Sequence, residues 1–210
     1  MRIKKIKNAK EKIESSKYLI LDPENYKGNW NRYFNNDNKI RIEIGCGKGN
    51  FITELAKQNP NINYIGIEMF DSVLLRAIEK QEEYKLSNLV FVRINALYLN
   101  DIFDKEIDLI YLNFSDPWPK NRHHKRRLTS EKFLNVYDKI FASNPNIIQK
   151  TDNEELFIYS IESLSNYGYK LKNITFDLHN SIYSKENIET EYEKRFVSQN
   201  KRIFKLEAYK

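Results

Sequence analysis

The sequence predicts a doubly wound α/β domain, a mostly parallel seven-stranded sheet with helices on both faces. Three observations carry this. Short apolar runs alternate with segments of helical period, the pattern of strand–helix–strand units. A glycine loop, Glu43-Ile44-Gly45-Cys46-Gly47-Lys48-Gly49, follows the first of those runs and opens a helix. Two strand-like runs near the end, Lys170 to Leu178 and Ile203 to Tyr209, suggest an antiparallel edge pair on the parallel sheet.

The elements follow in order. Arg2 to Lys17 is charged and reads as a helix or a loose basic arm, so residues 1–21 are set apart from a domain at 22–210. Asp22-Pro23 and Lys27-Gly28 mark turns before Trp30 to Phe34. Lys39 to Ile44 is the first strand, and Asn50 is the expected N-cap of a helix over Phe51 to Lys57. Pro60 breaks the chain before the second strand, Tyr64 to Ile67. Asp71 heads a helix with Val73, Leu74, Ala77 and Ile78 on one face. Leu89 to Ile94 and Ile107 to Phe114 are the third and fourth strands. Ser130 to Phe141 is a helix and Asn146 to Gln149 the fifth strand. Glu154 to Tyr167 is a helix that stops at Gly168, a common C-terminal signal.

Composition bounds the function. The 210 residues, 40% hydrophobic with 12 Phe and 14 Tyr, suffice for one domain with a sizeable core. No segment approaches the ~18 to 20 apolar residues of a membrane span. The basic N-terminus lacks the apolar stretch of a signal peptide. A single cysteine, Cys46, excludes an internal disulfide, and the cytoplasm is the expected compartment. The net charge of +6 favours a polyanionic partner. An A+T-rich genome explains most of the Lys, Asn, Ile and Tyr excess. It does not explain the local cluster at Lys120 to Arg127, because codon bias would not choose Arg there.

The glycine loop reads G-x-G-x-G, whereas a dinucleotide loop normally reads G-x-G-x-x-G. Gly45, Gly47 and Gly49 allow a ligand close to the backbone. Glu43, just before them, would repel a pyrophosphate and suits a cation such as an amino-acid ammonium group. Glu68 ends the second strand, where an acid can bind ribose hydroxyls. Asn95 follows the third strand, where an amide can bond an adenine edge. Asp116 follows the fourth. Four consecutive strands thus end in polar residues along one sheet edge, where open α/β sheets bind ligands. S-adenosylmethionine fits this line: methionine, ribose, adenine. Taken singly, each residue is equally a turn residue or a helix cap.

Ser115-Asp116-Pro117-Trp118-Pro119-Lys120 runs straight into Arg122, His123, His124, Lys125, Arg126 and Arg127. A carboxylate at a strand end beside a cluster suited to phosphates points to a reaction on a nucleic acid. Trp118 can stack on a base or pack under the loop. His123 and His124 have no third ligand nearby, so no metal is expected. Asp152 closes the fifth strand on the same edge. Thr190-Glu191-Tyr192-Glu193 has capping-box spacing, and its carboxylates also suit guanine's N1–H and exocyclic amine.

Together these motifs resemble the tRNA (guanine-N7)-methyltransferase family. The matching pieces are E-I-G-C-G-K-G from Glu43, Y-I-G-I-E ending at Glu68, N-F-S-D-P-W-P-K-N-R-H-H-K-R-R from Asn113, T-D at Thr151 and T-E-Y-E-K-R-F from Thr190. The resemblance runs from about Asp22 to the C-terminus. It implies a Rossmann-like class I methyltransferase fold and S-adenosylmethionine contacts at Glu43, Glu68, Asn95 and Asp116. It implies substrate contacts at Lys120, Asp152, Thr190, Glu191, Tyr192 and Glu193, RNA contact from Arg122 to Arg127, and Asp116 as the catalytic residue. Asn95 departs from the Asp of many relatives. The implied partner is tRNA, modified at a guanine of the variable loop by a monomer or homodimer.

Two rival readings compete with this one. An exocyclic-amine methyltransferase would more typically show N-P-P-[YFW] after the fourth strand, where this chain has S-D-P-W. A catalytically silent RNA-binding module would tolerate loss of Glu43, Glu68 or Asp116, and all three are present.

Overall fold

The computed structural model describes residues 6–199 and 201–210. In chain order its elements are α1 (Ala9–Glu14), β1 (Leu19–Ile20), α2 (Trp30–Phe34), β2 (Ile40–Ile44), α3 (Asn50–Gln58), β3 (Asn63–Glu68), α4 (Asp71–Tyr84) and β4 (Leu89–Arg93). There follow α5 (Leu99–Ile102), β5 (Ile107–Asn113), α6 (Glu131–Ile140), β6 (Asn146–Thr151), α7 (Glu154–Asn166), β7 (Lys170–Thr175), α8 (Glu191–Val197) and β8 (Phe204–Tyr209). The sheet order is β1-β4-β3-β2-β5-β6-β8-β7, with β8 antiparallel to both of its neighbours.

Among the described residues the sheet has eight strands, one more than expected. The extra strand lies in the segment read as an arm. Leu19 and Ile20 pair in parallel with Phe91 and Val92 of β4. A two-residue strand has no period for a sequence reading to detect. Just before it, α1 buries Ala9 and Ile13 in the same apolar layer as Leu74 and Ala77 of α4. Arg93 then ties Glu14, at 3.1 Å, to Asp71, at 2.9 Å. Residues 6–21 are therefore part of the packed fold, while Met1 to Lys5 of the expected arm lie outside the described residues.

The central strands are apolar on both faces because both faces are covered. Trp30, Ile102, Phe133, Tyr137 and Phe157 belong to the layer formed by α2, α5, α6 and α7. Phe51, Ile52, Leu55, Leu74 and Ile78 belong to the opposite layer, under α1, α3 and α4. Ile42 and Ile65, in β2 and β3, are fully buried. Each such side chain contributes roughly 1.5 to 3 kcal/mol relative to exposure. Gly66 in β3 is required by packing, since a Cβ there would meet the Phe91 ring at 2.5 Å.

Helix starts differ in detail from expectation. Gly49, at φ 74°, is the N-cap of α3, and Asn50 is its first helical residue. Asp71 lies inside the first turn of α4, where its charge complements the helix dipole. Gly168 takes φ 98° after α7, as expected of a helix stop.

The topology fixes where a ligand can sit. The chain lays down β2, β3 and β4 outward in one direction, then returns to place β5 on the other side of β2. At such a reversal the loops diverge and open a crevice beyond the strand ends.

Candidate active site

That crevice is a cleft of about 640 Å³ beyond the C-terminal ends of β2, β3, β4 and β5. Glu43, Gly45, Gly47, Glu68, Asn95 and Asp116 line it, as do Thr190, Glu191 and Tyr192. Four strand ends and the start of α8 suffice to form it.

Glu43 is the buried floor of the cleft. Its Oε1 accepts a 2.9 Å hydrogen bond from the Asn113 amide of the adjacent strand. Its Oε2, and the Asn113 Oδ1, have no hydrogen-bond partner among the described residues. Burial pushes the Glu43 carboxyl up to about 8, against the pull of Asn113 and Lys150. Glu68 is also buried. It accepts backbone N–H bonds from Met69 (2.8 Å), Phe70 (3.1 Å) and Gly47 (3.2 Å). Burial raises its carboxyl more than those donors lower it. Glu68 thus also braces the glycine loop.

Asn95 spends its Oδ1 on the Leu97 N–H, at 3.0 Å, which turns the chain after β4. Its amide group lies on the cleft wall. Asp116 is exposed, on the loop that leaves β5. That loop is held in uncommon conformations: Phe114 at φ 50° and Trp118 at φ 43°. Such residues cost energy and persist where the surroundings over-determine them. Phe114 is fixed by its N–H bond to the Lys150 carbonyl, 2.8 Å, and by stacking on Tyr192 at 6.4 Å.

The other wall is the start of α8. The capping box is formed as the spacing suggests: Thr190 Oγ1 accepts the Glu193 N–H at 3.0 Å, and Glu193 accepts the Thr190 N–H at 3.3 Å. Glu191 bridges to Lys48 of the glycine loop at 3.0 Å, closing the two walls together. Partial burial pushes the Glu191 carboxyl up, but Lys48 and Asn50 outweigh it and the net shift is down.

Several expected contacts fall elsewhere. Gly49 does not line the cleft; it packs on α4, where a Cβ would come within 2.8 Å of the Ala77 Cβ. Lys120 and Asp152 also lie outside the lining; Asp152 faces Lys201 at 3.5 Å. Asn153, not Asp152, caps α7 through the Leu156 N–H. Arg127 was expected to grip phosphate and is instead 1% exposed. It donates to the Pro117 carbonyl at 2.7 Å and to Glu155 at 2.7 Å, and it staples the Pro-Trp-Pro turn to α7. Glu193 was expected to meet the base and is fully buried, with both oxygens occupied. His124 packs on Tyr159 at 5.4 Å, and His123 meets the edge of Trp118 at 5.7 Å.

Lys120, Arg122, Lys125 and Arg126 are the exposed cations of the cluster, and Lys125 and Arg126 reach the cleft rim. Arg126 lies 4.9 Å from the centre of the Trp118 ring. The sequence reading missed Asn113, Lys48 and Lys150. Lys150 left no trace there, since the expected fifth strand ended at Gln149, one residue before it.

The donor set fits S-adenosylmethionine. Gly45 and Gly47 have positive φ, and nothing lies within 4 Å of an added Cβ, so backbone is open to the cleft. The unpartnered Glu43 Oε2 and Asn113 Oδ1 are two buried acceptors suited to an ammonium group.

Comparison with known proteins agrees with this chemistry. A family described as a putative methyltransferase matches residues 37–206. A tRNA (guanine-N(7)-)-methyltransferase of Lachnoclostridium phytofermentans is 54% identical over 211 residues, covering 100% of this chain and 99% of the relative. One from Geobacillus sp. is 51% identical, covering 99% of this chain and 95% of the relative. Among solved structures, an antibiotic-related methyltransferase superposes with a TM-score of 0.62 at 22% identity, over 87% of this chain and 92% of that one. A 16S rRNA methyltransferase gives 0.65 at 14% identity, over 87% and 91%. Those two likenesses establish the fold, that of the class I methyltransferases. On the full-length matches at about half identity, the chain belongs to the tRNA (guanine-N(7)-)-methyltransferase family.

Proposed function

We propose that this chain methylates N7 of a guanine in the variable loop of tRNA, with S-adenosylmethionine as methyl donor. The observation that carries the reading is one shared cleft. It is lined by the buried acids Glu43 and Glu68, the exposed carboxylate Asp116, the aromatic Tyr192 and the cations Lys125 and Arg126. A small cationic cofactor and a purine attached to a polyanion are both provided for.

Glu43, with Asn113, holds the ammonium end of the donor. Glu68 takes the ribose hydroxyls and Asn95 the adenine edge. When bound, S-adenosylmethionine supplies an activated methyl group on a sulfonium. Guanine N7 carries an in-plane lone pair and no proton, so no general base is needed at that atom. The chain's work is alignment, which can remove up to ~7 to 11 kcal/mol of barrier. Asp116 opposes the positive charge that develops on the purine, an electrostatic contribution in a partly desolvated cleft.

Thr190, Glu191 and Tyr192 contact the base. Lys120 and Asp152, outside the cleft lining, enter as substrate contacts through the family resemblance alone. Bringing the base out of its tertiary interactions costs a few kcal/mol. Phosphate contacts from Arg122, Lys125 and Arg126 offset it. Every group used comes from one chain, so the reading serves a monomer or a homodimer alike. A tRNA substrate assigns the work to the cytoplasm. Among the described residues, no helix is long and apolar enough to cross a membrane.

The test is incubation with isotopically labelled S-adenosylmethionine and bulk tRNA, followed by nucleoside analysis and fragment mapping. The expected product is 7-methylguanosine in variable-loop fragments. A different methylated nucleoside would overturn the substrate reading, and 7-methylguanosine elsewhere in tRNA would overturn the position. Cofactor binding without transfer would favour a silent RNA-binding module.

A further inference from the structure

Lys150 is a buried cation that the reaction as described does not use. Its side chain is 3% exposed, on β6. Its ammonium donates to Glu193 Oε2 at 2.7 Å, to the Ile188 carbonyl at 2.8 Å and to Asn187 Oδ1 at 3.0 Å. It also lies 4.8 Å from the centre of the Phe51 ring, at the start of α3. All three of its acceptors belong to the segment that leads into and opens α8. The backbone of the same residue serves the opposite wall. Its carbonyl accepts the Phe114 N–H at 2.8 Å, two residues before Asp116, and Asn113 is its register partner on β5.

A buried ion pair is a poor device for stability alone. Desolvating both charges offsets most of their attraction, and an apolar pair of similar volume often does as well. Here the pair is also fully hydrogen-bonded. The remaining Glu193 oxygen takes His179 Nε2 at 3.0 Å and the Asn187 amide. What an apolar pair could not do is fix direction. Three donated bonds from one ammonium hold a short helix in one place and one orientation. They do so from a residue whose own carbonyl sets the Phe114 turn.

We propose that Lys150 is a positioning residue for the methyl-accepting base: through Glu193, Asn187 and Ile188 it holds Thr190 and Tyr192 at a fixed distance from the Asp116 loop. The proposal rests on the reading that the start of α8 contacts the base. It also reassigns Glu193, from a base contact to the anchor that Lys150 grips. Thr190 and Tyr192 remain at the cleft, with Tyr192 stacked on Phe114 across the two walls. The buried lysine lowers its own pKa through burial, and Glu193 opposes that shift.

The test uses the full chain with tRNA and S-adenosylmethionine. Lys150→Met keeps the stem and removes the three donated bonds. Lys150→Met combined with Glu193→Gln also removes the uncompensated buried carboxylate, so it keeps the experiment alive should the single variant fail to fold. The double variant is expected to melt close to wild type and to bind S-adenosylmethionine within about twofold of wild type by calorimetry. Its kcat/KM for tRNA is expected to fall about 10- to 100-fold, the scale of a base misplaced by roughly 1 Å.

A well-folded variant with wild-type kcat/KM for tRNA overturns the proposal. So does a loss of cofactor affinity and tRNA turnover in parallel with melting temperature, which would make Lys150 merely structural. Tyr192→Ala separates this from the underlying reading, because Tyr192 is exposed and outside the buried network. If Tyr192→Ala leaves tRNA kinetics unchanged, the base-binding role of α8 fails. If it impairs them while the folded Lys150 variants do not, only the role of Lys150 fails.

Discussion

Glu43 and Asn113 share one buried hydrogen bond, 2.9 Å long, and each keeps an oxygen with no hydrogen-bond partner among the described residues. The pair joins the ends of β2 and β5 at the floor of the cleft. A neutral glutamic acid is the favoured form there, since burial raises its pKa from 4.5 to about 8. A cation delivered beside it would reverse that preference.

The first prediction is a pH dependence. Between about 4.5 and 8 the folded chain holds a proton on Glu43 that the unfolded chain has released. Stability from this group is therefore greatest below about 4.5 and is lost as pH rises to about 8. Each unit is worth about 1.4 kcal/mol, so the loss amounts to a few kcal/mol. Glu43→Gln is expected to melt progressively higher than wild type as pH rises from about 5 to about 8.5. The same variant should bind S-adenosylmethionine more weakly. Wild-type cofactor affinity should increase toward pH 8 with proton release, and the variant's should not. Calorimetry in buffers of different ionisation enthalpy reads both, and a parallel pH dependence in the two proteins would remove Glu43 from the ammonium site.

The second concerns Glu68. Its carboxylate carries three backbone N–H bonds that shape the glycine loop and the start of α4. Glu68→Ala should weaken S-adenosylmethionine binding by ~1.5 to 3 kcal/mol, the worth of charged hydrogen bonds. Binding of tRNA should be nearly intact. Unchanged cofactor affinity would show that Glu68 is only a loop brace.

Much of this site was legible because it depends on order along the chain. Strand runs alternating with loops put Glu43, Glu68, Asn95 and Asp116 at one sheet edge, and Thr190 with Glu193 announces a capping box. What was illegible depends on which way a side chain turns. The basic run from Lys120 to Arg127 reads as one surface, yet the 3₁₀ turn over Asn121–Arg126 swings Arg127 inward under the Pro-Trp-Pro loop. Glu193 and Lys150 each look like solvent-facing charges. They are buried because each is the other's partner, a pairing 43 residues apart that no local pattern encodes. Leu19 and Ile20 looked like the end of an arm, since two residues cannot display a strand period.

The third prediction separates chemistry from binding. Asp116→Asn keeps the shape of the side chain and removes its charge. Single-turnover methyl transfer should fall by about an order of magnitude or more, while tRNA affinity changes little. A wild-type rate at saturating cofactor and tRNA would make Asp116 a spectator.

The last prediction divides the basic cluster in two. If exposed Arg122, Lys125 and Arg126 grip phosphates as proposed, they bind by releasing counterions, and each contact contributes ~0.7 to 0.9 to the slope of log affinity against log salt. Arg126→Ala combined with Lys125→Ala should weaken tRNA binding and flatten that slope by about one to two units. Melting temperature should stay close to wild type, because both side chains are exposed. Arg127→Ala should behave in the opposite way. It leaves the Pro117 carbonyl without its 2.7 Å donor and opens a gap beneath Trp118. Losing a buried hydrogen bond of this kind costs about 1 to 3 kcal/mol, so the variant should melt lower. Its salt slope should be that of wild type, since Arg127 is buried. Filter binding across a salt series, with melting curves on the same preparations, reads affinity, slope and melting temperature for both variants. A flattened slope in Arg127→Ala with no loss of stability would mean that the staple opens in solution and that Arg127 reaches the RNA after all.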